Sequence, residues 1–111
     1  MVIIEVSPAD EDACALMREL DAEISSLYPD SVIFGIDETE FEKAGGYFVI
    51  AQQGDQMIGC GGFRPVDENC VEIKRMFVRP DMRRRGCARQ ILKHLEQEAQ
   101  WVFVYCVGDR M

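Results

Sequence analysis

Six consecutive residues, Arg83-Arg84-Arg85-Gly86-Cys87-Ala88, combine three guanidinium groups with a glycine and two small side chains. Placed ahead of a helix, such a turn has the chemistry of an anion site. The first N–H groups of a helix have no partner within it, the helix dipole adds roughly half a positive charge there, and glycine lets a backbone approach phosphate oxygens closely. Taken alone, the same six residues also fit a solvated basic loop. The charge around them is concentrated. Between Lys74 and Lys93 lie eight of the twelve Lys and Arg residues and one acid, Asp81, so that this segment carries +7 within a chain of net charge −8. The remaining acidic surface repels a long polyanion, which points to a compact phosphate ligand rather than a nucleic acid.

The other reactive side chains invite plainer readings. Cys14, Cys60, Cys70, Cys87 and Cys106 are odd in number and widely spaced, with no C-x-x-C pair and one histidine, His94, to assist a metal. Free thiols follow from that spacing, with Cys60 and Cys70 as buried small hydrophobes, and no metal is expected. Cys87 stands among arginines at a helix start, which favours its thiolate, although a small side chain tolerated in the turn also explains it. His94 lies at the margin of an apolar helical stripe and reads as a partly exposed surface residue. Tyr47, Phe48, Phe63 and Phe77 follow strand periodicity and read as core.

The elements that position these residues can be traced along the chain. Val2 to Val6 is a short β-branched strand, and Ser7-Pro8-Ala9-Asp10 predicts a helix start with serine as N-cap. Ala13, Leu16, Met17, Leu20, Ile24 and Leu27 form its apolar stripe up to Pro29. Asp37 to Glu40 predicts a shorter helix ending at Gly45-Gly46. Tyr47 to Gln52 and Gln56 to Arg64 read as a hairpin around Gly54-Asp55, with glycines 59, 61 and 62 marking a bulge or a close backbone approach. A polar turn over Pro65 to Asn69 leads to a third strand, Val71 to Val78. Cys87, Ala88, Ile91, Leu92, Leu95 and Ala99 then share a helical face, and Trp101 to Val107 reads as an internal parallel strand reached by a crossover. One domain over 1–111 is expected. The N-terminus lacks signal-peptide features and no apolar run approaches a membrane span, so a soluble cytoplasmic protein is expected.

Val71-Glu72-Ile73-Lys74-Arg75-Met76-Phe77-Val78-Arg79-Pro80, followed by Arg83 to Ala88 and a helix, resembles the acetyl-CoA motif of the GNAT N-acetyltransferases. The turn of that motif reads Gln or Arg, x, x, Gly, x, Gly or Ala, matched here by Arg83, Gly86 and Ala88. The likeness extends back through Gly45 to Ala51 and Ile58 to Arg64. It implies an α+β fold with a mixed, mainly antiparallel sheet flanked by helices. It also implies acetyl-CoA as cosubstrate and acetyl transfer to a primary amine. Met76 and Val78, with Phe77 between them, would hold the thioester and pantetheine by backbone groups, and Arg83, Arg84, Arg85, Gly86, Cys87 and Ala88 would hold the pyrophosphate. Glu72 is the implied general base; its alternative is a strand glutamate paired with Lys74 or Arg75. Regular strand geometry puts Glu72 and Met76 on one face, roughly 13 Å apart, so a water relay or a bent strand is required.

Family members continue beyond this helix with further strands and a helix that supplies a tyrosine acid, a place Tyr105 does not match. A homodimer sharing C-terminal elements is the expected remedy for an uncovered last strand. Besides an acetyltransferase, two functions fit these residues: a catalytically degenerate CoA-binding module, and a small RNA-binding domain using the arginine cluster.

Overall fold

The computed structural model describes residues 1–28, 38–43, 45–67, 70–99 and 104–107. Val2–Glu5 forms β1, and the chain then turns through Ser7–Asp10, where Asp10 N–H donates to Ser7 O at 2.9 Å and Ala9 N–H to Ser7 Oγ at 3.1 Å. The helix begins after this turn: α1 covers Glu11–Leu27 with Asp10 as its N-cap, Asp10 Oδ2 accepting from Asp12 and Ala13 N–H at 3.0 and 3.2 Å. The expected serine cap is therefore displaced by three residues. Pro8 and Ser7 satisfy a turn, and the carboxylate of Asp10 is an N-cap that also meets the positive end of the dipole. Of the predicted stripe, Ala13 and Leu16 are buried whereas Leu27 is 64% exposed.

Glu38–Lys43 forms α2. It closes as expected at the two glycines: Gly45 takes φ +84° and Gly46 N–H bonds Phe41 O at 2.8 Å, the six-to-one bond of a Schellman ending. Tyr47–Gln53 (β2) and Gln56–Asp67 (β3) form a hairpin whose ends pair as Gln53 with Gln56 around a left-handed Gly54, φ +61°. The strand β3 runs through Pro65 to Asp67, so the polar turn expected from Pro65 begins later; Pro65 is paired with Val71. Cys70–Val78 forms β4, Pro80–Met82 a single 3₁₀ turn, Cys87–Ala99 the helix α3, and Val104–Val107 β5. The part of the expected last strand before Val104 lies outside the described residues.

The sheet order is β1-β2-β3-β4-β5, antiparallel through β4 and parallel between β4 and β5. The expected mixed, mainly antiparallel sheet is thus observed, with β5 at its margin rather than inside it. Strand alternation sends side chains to two cores. On one face Val49, Ala51, Ile58, Ile73 and Val78 pack with Cys87, Ile91 and Leu95 of α3. On the other, Phe48, Ile50, Cys60 and Phe77 pack with Ala13 and Leu16 of α1 and Phe41 of α2. Ala88, expected in the α3 stripe, is exposed, and Cys70 is half-buried rather than buried.

Ile73 and Phe77 lie four residues apart yet face opposite cores, which regular alternation forbids. The reason is a β-bulge. Cys60 pairs with Phe77 and Gly62 with Lys74, so that Gly61 alone opposes Arg75 and Met76. Arg75 takes φ +59°, a left-handed conformation that costs a side-chain-bearing residue roughly 1–2 kcal/mol. Gly61 makes room for the extra residue: a Cβ there would stand 2.4 Å from Met76 Sδ and 3.2 Å from Ile91 Cγ2.

A candidate cofactor site where β4 meets α3

Beyond the bulge, the backbone direction of β4 follows from one bond. Arg79 N–H donates to Ile58 O on β3 at 2.9 Å. Backbone groups alternate along a strand, so those of Phe77 also face β3, while those of Met76 and Val78 face the opposite edge. Along that edge β5 pairs only with Cys70, Val71, Glu72 and Ile73. Among the described residues, no strand pairs with this edge of β4, away from β3, from Lys74 to Val78, and the strand accordingly has an open margin leading to its C-terminal end.

At that end the chain makes the 3₁₀ turn and reaches α3 through Arg83 to Gly86. Arg84 takes φ +66° and Gly86 φ +81°, which curls the turn so that Arg84, Arg85, Gly86 and Ala88 are all exposed. The first helical bond of α3 runs from Gln90 N–H to Gly86 O at 3.0 Å, leaving the N–H groups of Cys87, Ala88 and Arg89 as the unbonded first turn. These donors and the two free guanidinium groups of Arg84 and Arg85 can receive an anion at the foot of the open margin. Neither arginine has a carboxylate within ion-pair distance among the described residues.

Arg83 is placed differently from the expectation. Its Nε donates to Val78 O at 2.7 Å, its Nη2 meets both oxygens of Glu23 on α1 at 2.7 and 2.9 Å, and its guanidinium lies 5.6 Å from the centre of the Phe77 ring. It is a strut between α1, the end of β4 and the turn. Two further arginines of the basic cluster are bound to the same helix. Arg79 makes a two-point contact with Glu19, Nε to Oε1 at 3.1 Å and Nη2 to Oε2 at 2.7 Å. Arg75, 4% exposed, reaches Asp21 Oδ1 and Met17 O through Nη2. Three of the eight clustered cations are therefore neutralised by α1.

Cys87 is buried under the turn, beside Gly59 and Ile91. Burial pushes its thiol up from the ordinary value, opposing the thiolate that neighbouring arginines and a helix start would favour. Cys60, buried beneath the bulge with its Sγ 3.4 Å from Arg75 O, is pushed up to about 12 by burial, the Arg75 charge opposing only in part. His94 is half-buried and bonded: its Nε2 lies 3.0 Å from Tyr47 Oη, and the two rings stack at 6.0 Å with Tyr47 in turn on Phe63 at 5.5 Å. Burial first, then the charges of Glu98 and Glu5, raise the Tyr47 phenol.

Glu72 lies on β4 before the bulge, opposite Arg64 on β3. Its Oε1 accepts from Arg64 Nε at 2.9 Å and stands 3.9 Å from Lys74 Nζ. Of the two cations expected beside it, Lys74 is present, Arg64 replaces Arg75, and Arg75 is turned toward α1. The expected common face of Glu72 and Met76 is not found. Ile73 points to α3, hence Glu72 points to the α1 face, whereas Met76 packs on the α3 side because the bulge has shifted the phase. Glu19, Asp21 and Glu23 were not singled out in the sequence. The available signal was Arg75 itself, a cation in the same alternating phase as apolar Ile73 and Phe77.

Residues 13–102 match the model of the acetyltransferase (GNAT) family, and the chain belongs to that family. It is 31% identical over 101 residues to the IAA acetyltransferase of Azospirillum brasilense, covering 90% of this chain and 66% of that protein. Its fold is similar to that of a mutant of the BH1408 protein from Bacillus halodurans, with a TM-score of 0.73 at 15% identity over 99% of this chain and 83% of that one. A GNAT family acetyltransferase from Elizabethkingia anophelis, solved with acetyl-CoA bound, has a TM-score of 0.61 at 19% identity, covering 88% of this chain and 56% of that one. The chain thus spans 66% or less of the length of the Azospirillum and Elizabethkingia proteins. Among the described residues no helix is long and apolar enough to cross a membrane, and no three His, Cys, Asp or Glu side chains are grouped to hold a metal ion.

Proposed function

We propose that this chain binds acetyl-CoA along the open margin of β4 and transfers its acetyl group to a primary amine. The observation that carries this reading is the continuity of the β4 edge at Lys74–Val78, which no strand among the described residues covers and of which the Val78 carbonyl is held by Arg83, with the exposed Arg84–Ala88 turn and the first N–H groups of α3. A pantetheine arm is a chain of amides and pairs with such an edge as another strand would. A diphosphate suits the N–H groups and the Arg84 and Arg85 guanidinium groups below it. The acetyl-CoA bound by the Elizabethkingia relative supports the choice of cosubstrate.

In this reading the Met76 N–H, which faces the margin, donates to the acetyl carbonyl oxygen and stabilises the charge that gathers there. The amine nitrogen bonds to the carbonyl carbon, the carbon–sulfur bond breaks, and the thiolate leaves with the electron pair. The proton released by the amine passes to Glu72 through water, since Glu72 and Met76 face opposite sides of the strand. A thiol pKa of about 8.5 makes the thiolate a tolerable leaving group without an acid. The chain's net charge of −8 favours a cationic acceptor. A second copy pairing with the outer edge of β5 would complete the sheet, and sedimentation at low concentration tests that assembly.

Calorimetric titration with acetyl-CoA, followed by thiol release over a panel of amines, tests the activity. Binding with release from at least one amine is expected, and Glu72→Gln should lower kcat by about 10²–10⁴. Binding without release from any amine would instead mark a CoA-binding module.

A further inference from the structure

Among the described residues, Arg75 is the one charged side chain buried in the molecule. It also carries the left-handed backbone of the bulge. We infer that Asp21 of α1, acting through Arg75, holds the bulge of β4 in place, which makes Asp21 a positioning residue for whatever occupies the margin of β4.

The bulge is not held by its own conformational preference, because φ +59° is unfavourable for arginine and its side chain must be retained by something else. That retention comes from α1. Arg75 Nη2 donates to Asp21 Oδ1 and, at 3.3 Å, to Met17 O, while Arg75 Nε has no acceptor among the described residues. Among the described residues, Asp21 is thus the single carboxylate paired with a guanidinium whose side chain is 3% exposed. A buried cation deprived of its counter-charge seeks water, and the left-handed backbone at Arg75 then loses the contact that fixes the phase of the strand. The phase is what sets the margin. The extra residue at Arg75 puts Met76 with the α3 core and Phe77 with the α1 core. Without it, Met76 would fall in phase with Glu72 and Lys74, and the edge beyond the bulge would be reset. Among the described residues, Asp21 has no hydrogen bond or ion pair with the turn or with Met76, so its influence is exerted through Arg75.

The effect on cofactor rests on the function proposed above, whereas the effect on the strand does not, and two readouts separate them. Hydrogen–deuterium exchange on the ligand-free protein should show the Phe77 and Arg79 amides of Asp21→Asn, which face β3, exchanging at least about tenfold faster, with β2 and α3 unchanged. Acetyl-CoA affinity should fall about tenfold or more, the equivalent of 1.4 kcal/mol, with Asp21→Glu restoring part of it. Should Asp21→Asn fail to fold, the double variant Asp21→Asn, Arg75→Met removes both charges and is expected to fold with the same accelerated exchange. Unchanged exchange at Phe77 and Arg79 in a folded variant overturns the inference, as does a uniform rise across the whole chain, which is simple destabilisation. If exchange responds as expected but the unaltered protein does not bind acetyl-CoA, the clamp stands and the proposed function falls.

Discussion

Replacing Arg83 by alanine should weaken the fold more than it weakens phosphate binding, and the structure supplies the magnitude. The Nε bond to Val78 O, at 2.7 Å, is a charged donor on a main-chain carbonyl, worth roughly 1.5–3 kcal/mol. The contact with Phe77 adds about 0.5 kcal/mol at a partly exposed site. The Glu23 pair, with side chains 41% and 31% exposed, is screened by solvent and contributes about 0.2–1 kcal/mol. These are not additive, and a loss of about 2 kcal/mol is the expected cost of Arg83→Ala, against less than about 1 kcal/mol for Glu23→Gln. Urea unfolding followed by circular dichroism measures both. The companion variant Arg84→Ala, Arg85→Ala removes two exposed side chains without ion-pair partners, so stability should stay within about 0.5 kcal/mol while acetyl-CoA affinity falls. The reasoning is refuted if that double variant binds acetyl-CoA like the unaltered protein while Glu23→Gln binds it more tightly. Arg83, once freed, would then be the phosphate ligand.

Two glycines separate steric from conformational cost. At Gly59 a Cβ would lie 2.8 Å from Phe77 O and 3.2 Å from Ile91 Cδ1, so Gly59→Ala should destabilise by about 1–3 kcal/mol as β3 and β4 are forced apart. At Gly54, φ +61° with nothing within 4 Å, Gly54→Ala should cost only about 1 kcal/mol, and urea midpoints that reverse this order would contradict the packing described. Stability should also fall above pH 9. The Cys60 thiol is raised in the folded state to about 12 from 9.0, so between these values the folded chain retains a proton that the unfolded chain has lost. Each pH unit in that window costs up to about 1.4 kcal/mol. Cys87 and Tyr47 shift in the same direction, so Cys60→Ala should reduce the slope of stability against pH without abolishing it.

The elements were legible because their signals are local. The hairpin around Gly54 and Asp55, the glycine ending of α2 and the amphipathic stripe of α3 each depend on residues within a turn or two of one another. The turn at Arg83–Ala88 was legible for the same reason, since a glycine, small residues and a helix start occupy adjacent positions. The N-cap of α1 was misplaced because Ser7 and Asp10 are both capping residues, and the choice between them rests on which carboxylate or hydroxyl actually meets the helix N–H groups. Leu27 was misread because periodicity records a face of a helix without recording how far along the helix that face is covered.

The amino-acid sequence by itself determined the order of strands and helices, the concentration of positive charge after the third long strand, and the glycine-containing turn that opens the last helix. Only the tertiary structure decided what those charges do. Arg75, Arg79 and Arg83 are met by Asp21, Glu19 and Glu23, residues 54 to 60 positions away in the chain, and no local pattern couples such distant pairs. The bulge has the same origin. One glycine on β3 faces two residues on β4, and that mismatch exists only once the two strands have been laid side by side in register.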